Sequence, residues 1–282
     1  MPPIRRRCEG SVVAMTALPR DETPVIVERT GRIATVTINR PHKLNALDTP
    51  SNLVLYDSLR ELAIDDAVWV VVISGSGDRS FCAGGDLTAV DSSAPHSGRT
   101  RISFGGGLTG VGGRRFDMPK PMIAAVNGYA IGGGFELAMA CDVVIASNTA
   151  SFGLTEGRTG WISDSPAVHR AMRQLPYHVA MGLILTGNRM DSDTAHRYGL
   201  VNELAPPTEL MKVARAWAET MLESSPLALR ALKEAAIDGL DIGLSAALER
   251  RWETIEEFQT TADRSEGAAA FRQKRKPKWV GR

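Results

Sequence analysis

Hydrophobic positions change rhythm repeatedly along the chain. Residues 25–29 and 33–38 are short runs rich in Val, Ile and Thr around Gly31, the second alternating apolar with polar. They predict a β-hairpin, ended by Asn39-Arg40-Pro41. Over residues 49–65, Leu53, Leu55, Leu59, Leu62 and Ile64 fall at amphipathic-helix spacing. Residues 68–73 are almost continuously apolar, as a buried strand requires, and Ser74-Gly75-Ser76-Gly77-Asp78 predicts the turn that follows. Residues 121–126 and 143–146 predict two more buried strands, with a helix opening at Phe135 between them. Residues 92–114 cluster Ser, Gly and Arg, including Gly105-Gly106-Gly107 and Gly112-Gly113, and predict a mobile loop. A phosphate cradle is disfavoured there, because no Gly-Lys-Ser/Thr follows.

Beyond residue 208 the pattern becomes helical only, with helices predicted over 209–222, 226–238 and 244–258. Pro206-Pro207 marks the change. The expected organisation is a disordered extension over 1–22, a mixed α/β core over 23–207, and a helical segment with a tail over 208–282. If translation starts at Met15, the first residues are upstream sequence.

Composition narrows the function. The apolar fraction of 43% and charged fraction of 23% are those of a soluble globular chain. A formal net charge of +1 supplies no protein-wide basic field, which argues against a nucleic-acid binder. The basic runs Arg5-Arg6-Arg7 and Lys274-Arg275-Lys276 are confined to the termini. No stretch is long enough to span a membrane. Cys8, Cys82 and Cys141 lack metal-ligand spacing and do not suggest a disulfide framework. A reducing cytoplasm is expected, with no metal. The histidines His42, His96, His169, His178 and His196 form no pattern with Ser and Asp that would suit a serine hydrolase.

The chemistry concentrates in glycine turns and two glutamates. In Gly132-Gly133-Gly134-Phe135-Glu136 a turn leads into a helix, so free N–H groups and the positive helix end face whatever occupies the turn. Phe81-Cys82-Ala83-Gly84-Gly85-Asp86-Leu87 makes a similar turn, with Asp86 able to cap the next helical residues. Facing each other, two such turns form an oxyanion hole; apart, they are only tight corners. Glu136 lies in the first turn of its helix, where the dipole favours the anion. Glu156, after Phe152-Gly153-Leu154-Thr155, has less access to water. Two carboxylates in unlike surroundings can divide acid and base work. Singly, each would more often be a cap or an ion-pair partner.

These residues carry a resemblance. The chain resembles the enoyl-CoA hydratase/isomerase (crotonase) superfamily from about Val25 to Arg282. The match includes Asn39-Arg40-Pro41, Asn45-Ala46-Leu47, the two glycine elements, Lys120-Pro121-Met122, Cys141-Asp142 and Leu185-Thr186-Gly187. It implies an α/β crotonase-like spiral of repeated ββα units, with a C-terminal helical segment used for assembly as a homotrimer or a dimer of trimers. It also implies an acyl-CoA substrate, whose thioester oxygen binds the N–H groups of Gly85 and Gly133. Glu136 would hold or activate water, and Glu156 would exchange a proton at the α-carbon. Ala46, Ala83, Asp86 and Leu87 fall at substrate positions, and Lys276 and Trp279 at positions that approach the CoA phosphate and adenine. For the last two, a solvated basic tail is the alternative. Coenzyme A is then part of the substrate, and no other cofactor is implied.

Ile162-Ser163-Asp164-Ser165-Pro166-Ala167 departs from the usual hydratase turn and is similar to carnitinyl-CoA dehydratases, although Pro166-Ala167 replaces a pair of glycines there. The expected activity is enoyl-CoA hydration or dehydration. A double-bond isomerase, or a noncatalytic RNA-binding member, is the alternative.

Overall fold

The computed structural model describes residues 23–89, 118–160 and 167–282. The predicted hairpin is β1 (Val25–Thr30) paired antiparallel with β2 (Ile33–Ile38). Asp48 caps α1 (Thr49–Ile64), its carboxylate accepting the Ser51 N–H at 2.9 Å. Leu55, Leu59 and Leu62 of α1 are buried, but Leu53 and Ile64, expected on the same face, are exposed. The apolar stripe is therefore narrower than the spacing suggested. After it come β3 (Val70–Gly75), which extends through Ser74 and Gly75 into what was expected to be turn, and β4 (Ser80–Cys82).

The next units repeat this plan. β5 (Met122–Val126) leads to β6 (Tyr129–Ile131) and α2 (Gly133–Ala140), and β7 (Val143–Ser147) leads to β8 (Ser151–Gly153). Then follow α3 (Ala167–Gln174), α4 (Tyr177–Thr186), β9 (Arg189–Asp191), α5 (Ser192–Arg197) and β10 (Glu203–Ala205). One sheet has the order β1-β2-β3-β5-β7-β10, and three-residue strands form a second in the order β4-β6-β8-β9. The inner strands of the first sheet, β3, β5 and β7, are buried on both faces and give a clear pattern. The three-residue strands of the second sheet have no room for a period and were not foreseen.

C-terminal helices are α6 (Leu210–Met221), α7 (Pro226–Gly239), α8 (Leu244–Glu249), α9 (Glu253–Phe258) and α10 (Ala262–Arg272). The single helix expected over 244–258 is broken, because Arg250 and Trp252 take extended backbone angles. α6 lies on the larger sheet, where Leu210, Ala214 and Ala218 bury against Val70, Val72, Ile123 and Ile145. The tail is pinned by Asp263, fully buried on α10. Its carboxylate accepts the N–H groups of Val280 at 2.8 Å and Gly281 at 3.2 Å, and the Ser225 hydroxyl at 2.7 Å. Among the described residues, no helix is long and apolar enough to cross a membrane.

The loop between β2 and α1 is held by one buried side chain. Asn45 has φ 56°, a left-handed conformation that Asn tolerates better than most residues. Its amide donates to the carbonyls of Ser76 at 3.0 Å and Ser80 at 2.6 Å, and its oxygen accepts the Arg40 N–H at 3.0 Å. Asn45→Ala strands all three backbone groups. The expected loss is roughly 3 kcal/mol of unfolding free energy, measured by urea denaturation.

Candidate active site

Strands β4, β6 and β8 lie side by side and parallel. Their C-terminal ends therefore open on one edge of the smaller sheet. β4 runs into Ala83, Gly84 and Gly85, β6 into Gly132 and Gly133, and β8 into Leu154, Thr155 and Glu156. The carboxyl ends of parallel strands are where open α/β sheets bind ligands. Strand order thus gathers three segments that are distant in sequence.

Contacts between the turns are close. Gly84 has φ +90°, and a methyl group added to it would lie 3.1 Å from the Gly133 nitrogen. Gly134 sits against the Cys82 carbonyl so tightly that any side chain would overlap it. The Leu47 N–H donates to the Gly84 carbonyl at 2.8 Å, and the Asp86 N–H donates to the Leu47 carbonyl at 2.9 Å. This bridge uses the residues on either side of Gly85 and leaves the Gly85 N–H outside it. In α2 the first intrahelical bond runs from the Glu136 N–H to the Gly132 carbonyl at 3.0 Å, so the Gly133 N–H precedes it.

Glu136 is buried, and its Oε1 accepts the Ala167 N–H at 3.1 Å. Ala167 opens α3, so the carboxylate lies at the positive ends of two helices, which favour negative charge. Arg170 and Gln174 of α3 donate to the Met139 carbonyl at 3.2 and 2.9 Å, fixing α3 on α2.

Glu156 begins a 3-10 turn, Glu156–Thr159. A methyl group on Gly132 would lie 3.2 Å from its Oε1, which places the carboxyl directly against the second glycine turn. Burial pushes its pKa above the ordinary glutamate value, partly offset by its own backbone N–H. Arg158 braces the turn, donating to the Thr186 carbonyl at 2.8 Å and to Asn188 Oδ1 at 2.5 Å.

The other expected site residues divide into two groups. Ala46, Ala83, Asp86 and Leu87 surround the Gly84-Gly85 turn. Ala46 and Asp86 are buried, Ala83 donates to the Leu44 carbonyl at 3.1 Å, and Leu87 is exposed. Asp86 caps the 3-10 turn Leu87–Ala89 through the Thr88 N–H at 3.1 Å. Lys276 and Trp279 lie on the tail instead. The Trp279 indole donates to the Glu223 carbonyl at 2.8 Å and packs on Gly267, and Lys276 reaches the Glu223 carboxylate at 3.5 Å. Their partners are Glu223 in the turn after α6 and Gly267 on α10, not the glycine turns. Cys82 and Cys141 are buried, and burial pushes both thiols up to about 12, where no thiolate nucleophile forms at neutral pH. The Asp164-Ser165-Pro166 segment, the 92–114 loop, Cys8 and His96 lie outside the described residues.

Sequence reasoning missed Arg40, Asn45 and Arg158 as supports of the turns. Asn45 carried a signal, since a lone amide among Leu44, Ala46 and Leu47 implies a buried, fully bonded side chain. Arg40 and Arg158 carried none, because their acceptors, among them Asp48, Asp86, Thr186 and Asn188, are brought to them only by the fold.

Comparison with known proteins agrees with this architecture. A family model described as enoyl-CoA hydratase/isomerase matches residues 28–282. The chain is 36% identical to the (E)-benzylidenesuccinyl-CoA hydratase of Thauera aromatica, over 92% of this chain and 99% of that one. It is 37% identical to the carnitinyl-CoA dehydratase of Proteus mirabilis, over 89% and 96% of the two chains. A crystal structure from Novosphingobium aromaticivorans, of a protein assigned as a short-chain enoyl-CoA hydratase, superposes with a TM-score of 0.84 at 44% identity, covering 93% of this chain and 99% of that one. The chain belongs to the enoyl-CoA hydratase/isomerase, or crotonase, family and has its fold.

The raised Glu156 pKa has a consequence for stability. The folded protein binds this proton more tightly than the unfolded chain, so the contribution is fully present at acid pH. It is lost as pH rises from the ordinary glutamate range through the raised folded value. Glu156→Gln removes that loss. The variant is expected to melt at a higher temperature than the parent at about pH 8, with the difference vanishing below the ordinary glutamate range. Calorimetry across pH checks it.

Proposed function

We propose that the protein is a hydro-lyase that adds water to, or removes it from, the double bond of an enoyl-CoA thioester. The observation that carries the reading is the Glu156 carboxyl lying against Gly132, beside the N–H groups of Gly133 and the Gly84-Gly85 turn. A thioester oxygen bound by the N–H groups of Gly85 and Gly133 accumulates negative charge as the β-carbon is attacked, and preorganised donors stabilise that charge. Glu136 is the base. It takes a proton from water as the oxygen bonds to the β-carbon. Glu156, whose burial favours the protonated form, delivers a proton to the α-carbon and is left ionised. Dehydration runs these transfers backwards. Atoms and charge balance without a metal or a redox cofactor.

The substrate is an acyl-CoA in which a double bond lies next to the thioester. Similarity to a carnitinyl-CoA dehydratase, a benzylidenesuccinyl-CoA hydratase and a protein assigned as a short-chain enoyl-CoA hydratase makes both substituted and short plain acyl groups candidates. A turnover panel of crotonyl-CoA, longer enoyl-CoAs, crotonobetainyl-CoA and benzylidenesuccinyl-CoA, followed at the enoyl chromophore, discriminates among them. Glu136→Gln and Glu156→Gln are each expected to reduce hydration of the best substrate by at least ~100-fold. Near-parental turnover in either folded variant rules out the two-carboxylate mechanism. Migration of the double bond without water uptake would identify an isomerase instead.

The C-terminal helices support assembly into an oligomer. Leu232, Ile237, Leu240, Leu244, Leu248 and Phe271 are all exposed, Phe271 to 86%. So much exposed apolar surface on one segment marks an interface, and closed symmetry is the common way to cover it. A homotrimer or a dimer of trimers is the proposed state. Light scattering at micromolar protein is expected to give three or six chain masses, and a monomer mass contradicts it.

A further inference from the structure

Behind Gly85 lies a nearly buried arginine. The Arg40 side chain is 13% exposed, and its guanidinium spans three acceptors. Nη1 donates to the Ala46 carbonyl, and Nη2 donates to Asp48 Oδ2 at 2.7 Å and reaches Asp86 Oδ2 at 3.4 Å. The Arg40 backbone is itself fixed. Its N–H donates to Asn45 Oδ1 at 3.0 Å, and its carbonyl accepts the N–H groups of Lys43 and Asn45, each at 2.9 Å. Thr88 holds the Asp86 carboxyl below its ordinary value through hydroxyl and N–H bonds, helped by Lys43 and Arg40. For Asp48, burial pushes upward but is outweighed by the Ser51 bonds and the Arg40 charge, which leave it below the ordinary value. Both partners are therefore anions at neutral pH, so the clamp is charged there.

Gly85 has no side chain to orient it, and a methyl group added there would meet nothing within 4 Å. The direction of its N–H is set by its neighbours. Its peptide partner, the Gly84 carbonyl, and the N–H of Asp86 are both bonded to Leu47. Leu47 sits between Ala46 and Asp48, and Asp86 is next to Gly85. The Arg40 guanidinium thus holds the residues before and after Leu47 and the residue after Gly85. We propose that Arg40 is a positioning residue that aims the Gly85 N–H at the thioester oxygen. The inference rests on the enoyl-CoA reading above. Lysine cannot replace it, because a single ammonium lacks the planar fork that reaches several acceptors at fixed angles.

The test uses full-length Arg40→Lys and Arg40→Met. Infrared difference spectroscopy with a carbonyl-13C acyl-CoA from the turnover panel reads polarisation of the bound thioester. Kinetics and melting temperature are measured in parallel. The expected result is a fall in kcat of about 10- to 100-fold, a change in KM of no more than about 3-fold, and a bound C=O stretch displaced toward its solution frequency. Arg40→Lys is expected to recover only part of what Arg40→Met loses. Glu136→Gln is the control, since it lowers kcat while leaving the carbonyl stretch at the parental bound value. If Arg40→Met does not fold, Asp48→Asn loosens one arm of the clamp and is expected to move the stretch in the same direction by less. Variants that lose melting temperature but keep the parental kcat and C=O stretch overturn the inference and leave the functional reading intact. A parental protein that binds acyl-CoA without shifting the carbonyl overturns both.

Discussion

Contact between Gly134 and the Cys82 carbonyl is the constraint on which the site depends. It joins the start of α2 to the end of β4 with no side chain between them. Any Cβ there would drive the helix from the strand and separate the two glycine turns. Gly84 meets Gly133 across the same seam, in a backbone conformation that residues with a Cβ rarely adopt. The two glycine turns are thus brought together by backbone packing, with side chains such as Arg40 bracing them from behind. The oxyanion hole proposed above would tolerate little movement, since a misplacement near 1 Å can cost about two orders of magnitude in rate.

The two glutamates are held in opposite ways. Glu136 is fixed by a helix N-terminus belonging to α3, which is itself bound to the far end of α2. Glu156 is held by burial against glycine, with Arg158 bracing the turn beyond it. One environment favours the anion and the other penalises it. In the hydration proposed above, these are the protonation states from which Glu136 takes a proton and Glu156 gives one. Burial of Glu156 opposes folding stability once the pH exceeds its raised value, the relation expected of the acid in the reaction proposed above.

Much of the larger sheet was legible in the sequence, because β3, β5 and β7 are buried on both faces and read as unbroken apolar runs. The smaller sheet was not, since strands of three residues such as β4 and β6 carry no period. The site was legible as chemistry through its glycine turns and glutamates, yet their adjacency was not. It follows from the order β4-β6-β8, which local pattern cannot reveal. Helices failed where packing overrode pattern. Ile64 keeps helical spacing but faces water, and the break at Arg250 and Trp252 has neither Pro nor Gly to announce it. Arg40 belongs to the same category: its charge is visible, but its acceptors are assembled only by the fold.

Asp263 changes the character of the chain's last residues. Both of its oxygens are committed, one to the tail N–H groups and the other to Ser225 at the cap of α7, in a site closed to water. Peeling the tail away would strip the Asp263 carboxyl of its backbone donors and leave it only Ser225, an outcome less favourable than the fraying of an ordinary terminus. The segment therefore behaves as a strut between α7 and α10. Lys276 and Trp279 stand on a rigid arm whose direction is decided by a residue more than ten positions upstream.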